Sequence, residues 1–66
     1  MDTLSERGAD PEARRLAQAV RAACIEVAIA GYERASADGL CEAGAWECAI
    51  EAIRALDLEA IFQRIR

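Results

Sequence analysis

The sequence predicts an all-α protein, a helical hairpin with a long first helix that needs neighbours beyond its own chain. Three observations predict it. Apolar residues recur at three- and four-residue steps through most of the chain. Sixteen of the 66 residues are alanine, the strongest helix former, and only one is proline. Helix-start chemistry stands at Asp10-Pro11-Glu12, and turn chemistry at Ser36-Ala37-Asp38-Gly39.

Residues 1–9 hold Gly8, three charges and only Leu4 as a large apolar group besides Met1, which predicts a flexible leader. They carry no apolar signal-peptide core. Residues 10–66 then form a single small helical domain. Its first helix is expected over about 11–36. Asp10 can accept bonds from free backbone amides, Pro11 fits the first helical position, and Glu12 suits the positive helix end. Leu16, Val20, Ala23, Cys24 and Val27 make one apolar stripe, while Ile25, Ile29 and Tyr32 make a second beside it. From Ala22 to Tyr32, Glu26 is the only charged side chain. A helix in a simple hairpin needs an apolar face only about 100° wide. The apolar arc here is far wider, so neighbours are expected on at least two sides.

The chain then turns at Gly39 or at Gly44, and both remain open at this point. A second helix is expected over about 40–56, with Trp46, Ala49, Ile50 and Ile53 inward and Glu47, Glu51 and Arg54 in water. If that helix ran straight on, Asp57 would continue its apolar stripe. A charge there is costly, so a break is expected at Asp57, which then caps a short helix over about 58–65. Leu58, Ile61, Phe62 and Ile65 give that helix its own stripe, and Arg64 and Arg66 suit its negative end.

Gly44, Trp46, Ala49 and Ile53 match the spacing of the turn and second helix of a tetratricopeptide unit. Over about residues 44–56 the chain resembles that family. The resemblance implies a small Ala49 that lets paired helices approach, an aromatic Trp46 between them, and protein–protein work. The family's upstream aromatic and its closing proline are not found at their spacing.

Composition narrows the chemistry. The chain has no His and no Lys, and all eight of its cations are Arg. Imidazole and amine catalysis are thereby excluded from its own side chains, so no enzymatic activity and no cofactor are expected. A net charge of −4 without a clustered cationic face argues against nucleic acid. No uncharged run of 18 apolar residues predicts a membrane span. Cys24, Cys41 and Cys48 are an odd number of thiols without an export signal, which predicts a reducing, cytoplasmic setting. They also offer the second functional reading, a thiol- or metal-responsive regulator. No Cys-x-x-Cys pair supports it, and Cys41 and Cys48 on one helix would stand about 10.5 Å apart along the axis. Abundant Ala and Arg with no Asn or Lys suggests a GC-rich bacterial genome.

A chain this short buries only ~60% of its unfolded surface, so a solitary core would be marginal. The first reading is therefore a non-enzymatic interaction module. It would be a small accessory subunit or a homodimeric adaptor, partnered by itself or by a larger protein through Ile25, Ile29, Tyr32, Trp46, Leu58, Ile61, Phe62 and Ile65. Two copies would build a helical bundle. Glu26 is either a solvent-facing residue or the partner of Arg21, Arg34 or Arg54.

Overall fold

The computed structural model describes residues 10–65, so the expected leader and the placement of Arg66 lie outside the described residues. Three helices follow in order: α1 (Pro11–Ala37), α2 (Glu42–Arg54) and α3 (Leu58–Ile65). With 27 residues, α1 is about 40 Å long and serves as the spine. It packs against both other helices, which make no packing contact with each other. α2 covers the C-terminal half of the spine. α3 runs back toward its start, since Phe62 and Ile65 lie beside Leu16, Ala13 and Glu12.

The start of α1 is built as its sequence dictates. Asp10 is extended at φ −77°, ψ 104°, and its side chain accepts from the amides of Glu12 and Ala13 at 3.1 and 3.3 Å. Pro11 occupies the first helical turn, where its missing N–H removes nothing. At the other end the turn lies at Gly39, which takes φ +94° and bonds its amide to the Ser36 carbonyl. Leu40 closes the end by donating to the Ala35 carbonyl at 3.0 Å. Gly44 is not a break. It sits inside α2, against the Leu40 side chain.

α2 is shorter at both ends than its expected span of 40–56, because Cys41 is extended and Ala55 already leaves the helix. The break at Asp57 is present, and its carboxylate accepts the Ala60 amide at 3.1 Å. Asp57→Ala should therefore cost about 0.5–2 kcal/mol, read as a lowered melting temperature by circular dichroism. An unchanged melt would mean that the cap does not hold α3.

The inner face of α2 differs from the expected one. Ala45 and Ala49 are buried, Ile53 is half-buried, and Trp46 and Ile50 stand outward. The cause is the closeness of the two helices. A Cβ placed on Gly31 would lie 3.2 Å from the Ala52 Cβ, 3.2 Å from the Cys48 carbonyl oxygen and 3.5 Å from the Ala49 Cα. Only small residues fit a seam this narrow. Trp46 and Ile50 sit about 100° around the helix from Ala45 and Ala49, so they fall to one side of it. The expected first stripe of α1 does face inward, with Leu16, Val20, Ala23, Cys24 and Val27 all half-buried.

Ile61 is also corrected. Placed by its sequence among interface residues, it is 3% exposed and belongs to the chain's own core, where α3 docks on α1. Among the described residues, Ile61 is the single large side chain of that core; Ala35, Ala45 and Ala49 complete it. Ile65 beside it is half-buried, whereas Leu58 and Phe62 remain exposed.

Candidate interaction surface

Local sequence sets two stripes on one side of the hairpin. Ile25, Ile29 and Tyr32 recur at steps of four and three along α1, and Trp46, Ile50 and Ile53 do the same along α2. The Tyr32 and Trp46 rings meet edge to face, 5.6 Å between centroids and 70° between planes. That contact fixes both stripes on the same side of the seam. The helices run antiparallel, so each step forward in α2 is matched by a step back in α1. With Gly31 set against Cys48, Ala49 and Ala52, Ile50 stands near the level of Ile29, and Ile53 lies beyond it toward Ile25. The result is a ladder of three apolar rungs spread over about 10 Å of helix axis.

This ladder is in water. Ile25 is 55% exposed, Ile29 52%, Trp46 56% and Ile50 45%. Tyr32 and Ile53 are half-buried, the first by its contact with Trp46. At ~150–250 Å² for a large side chain, the four exposed residues leave roughly 400 Å² of apolar surface uncovered. That lies within the ~300–600 Å² of the largest patch on a typical monomer, a class of patch that is often functional. Edge-to-face aromatic packing adds about 0.5–1.5 kcal/mol beyond its buried area, so the Tyr32–Trp46 rung pins Trp46 in its outward position.

The other side of the hairpin has a different character. A shallow groove there is lined by Ala30, Arg34, Ala52, Ala55 and Asp57 among others, small side chains interleaved with charges. Glu51 and Arg54 pair at 3.1 Å on the outer surface of α2, both about 70% exposed, and contribute little in that setting. Glu26 is exposed as well, on the outer edge of α1.

Comparison with known proteins gives no relative: no family model, no curated protein and no solved structure matches the chain. Of the four positions that resemble a tetratricopeptide unit, Ala49 lies close to Gly31. Trp46 stands outward instead of filling the gap between the helices, and Gly44 is helical.

The three thiols are free. Cys41 is exposed at the head of α2, while Cys24 and Cys48 are half-buried. Gly31 is opposite Cys48, and Cys24 precedes Gly31 by two turns, so Cys24 and Cys48 stand about 10 Å apart along the seam. Among the described residues no three Cys, Asp or Glu side chains come together as a metal site would require. No described helix is long and apolar enough to cross a membrane.

The position that sequence reading missed is Gly31. It sits in an otherwise alanine-rich helical run, where glycine costs about 1 kcal/mol against alanine. Its counterpart signal is the set of small residues Ala45, Ala49 and Ala52 on one face of α2. Read together, a mid-helix glycine and a facing stripe of alanines would have located the seam.

Proposed function

We propose that this chain is a non-enzymatic interaction module, a small accessory subunit or homodimeric helical adaptor of a cytoplasmic bacterial complex. It works through the apolar face formed by Ile25, Ile29 and Tyr32 on α1 and Trp46, Ile50 and Ile53 on α2. The observation that carries the reading is the 45–56% exposure of four large apolar side chains, on two stripes that the Tyr32–Trp46 contact sets on one side of the hairpin. A fold whose core, among the described residues, contains one isoleucine and three alanines gains little by leaving such residues in water. Covering the patch would contribute about 10 kcal/mol of gross apolar burial at ~25 cal/mol per Å², before the cost of association. The side chains available, without His or Lys, offer a reaction few groups to work with.

A photo-crosslinking residue placed at position 29 or 50 in the native cells tests the reading. Either position should trap a protein of defined mass, and position 51, on the outer surface, should not. Trapping no stronger at 29 and 50 than at 51 would overturn it.

A further inference from the structure

We infer that the occupant of this apolar ladder is a second copy of the same chain, stacked face to face on the first as a two-fold symmetric four-helix assembly. The inference rests on the interaction-module reading and goes further by naming the partner. Three features point to self-pairing. The first is layering. Stable domains bury an apolar face between two packed layers, and this chain supplies one: α1 against α2 and α3, which do not touch each other. A second copy supplies the missing layer with matched helix lengths.

The second feature is area. Homodimer interfaces are about 65% apolar, so roughly 400 Å² of apolar surface corresponds to ~600 Å² per copy, or ~1,200 Å² in all. That total reaches the lower end of stable, specific interfaces, ~1,200–2,000 Å². The third is position. Both stripes lie on one side of the seam, and a two-fold axis along the seam keeps every level unchanged, so it lays the apolar face of one copy on that of the other at matching heights. Each α1 then lies over the α2 of the other copy and antiparallel to it. Tyr32 of one copy reaches the level of Trp46 of the other.

Light scattering coupled to size-exclusion chromatography, run on the full chain across micromolar concentrations, reads the assembly directly. The expected mass is twice the 7.1 kDa of the chain. Ile29→Asp and Ile25→Asp should each return it to a monomer with helical circular dichroism retained, because both side chains are exposed within one copy. Ala30→Gln, on the opposite groove, should leave the dimer intact. Trp46 emission should shift to the red with dissociation. A wild-type monomer at every concentration would overturn self-pairing, as would a dimer lost with Ala30→Gln but kept with Ile29→Asp. A monomer that is still cross-linked through position 29 to a larger protein would sink this inference alone. No dimer and no face-dependent cross-link would sink the interaction reading with it.

Discussion

Gly31→Leu should destroy the hairpin. Circular dichroism is expected to show loss of cooperative melting, and the near-ultraviolet signal of the Tyr32–Trp46 pair should vanish. The reason is in the atoms that face the glycine. Even a lone Cβ would sit 3.2 Å from the Ala52 Cβ and 3.2 Å from the Cys48 carbonyl oxygen, with the Ala49 Cα at 3.5 Å. These are backbone atoms and a first side-chain carbon, none of which can rotate away. A leucine is accommodated only by moving α2 off α1, and overpacking of this kind typically costs about 1–3 kcal/mol. Domains of this size have little stability to lose. Gly31→Ala poses a finer question. It gains about 1 kcal/mol of helix propensity and meets contacts that require shifts of a few tenths of an ångström, so its effect should be small. Gly31→Leu with an unchanged melt would show that the seam is not where the structure puts it.

Much of the fold is legible in the sequence because its signals are local. Asp10 and Asp57 act through their own side chains on amides two or three residues away, and Gly39 acts through its own φ. Such devices need no knowledge of the rest of the molecule. The orientation of α2 was not legible in the same way. Trp46, Ala49, Ile50 and Ile53 form one broad apolar arc, and hydrophobicity alone does not say which part of it faces α1. Size decides. The seam at Gly31 admits alanine and excludes tryptophan, so the bulkiest residues are displaced to the flank and the alanines become the core. The second α1 stripe, by contrast, was legible as surplus. Ile25 and Ile29 stand uncovered among the described residues, and Tyr32 is covered in part by Trp46. Periodicity could not show that surplus meeting the displaced residues of α2 on one face.

Ile61→Ala should be the most damaging core truncation, and its effect should begin in α3. Ile61 is 3% exposed and is the single large side chain in the core of the described residues. Truncations of this type cost about 2–5 kcal/mol, through lost burial and the cavity left behind. Of the two other described helices, α3 packs on α1 alone, and a helix of eight residues does not persist alone in water. Removing its anchor should therefore release α3 before the α1–α2 hairpin melts. Hydrogen exchange should show amides 61–65 losing protection while those of α1 beside Gly31 keep theirs, and trypsin should cleave at Arg64 faster than in the parent chain. Phe62→Ala, at 43% exposed, should cost markedly less. Equal losses for the two variants would mean that Phe62 holds α3 on α1 as firmly as Ile61 does and that Ile61 is not its single anchor. A uniform drop in protection across all three helices would instead show that the 66 residues fold as one unit, with α3 as necessary to the hairpin as the Gly31 seam.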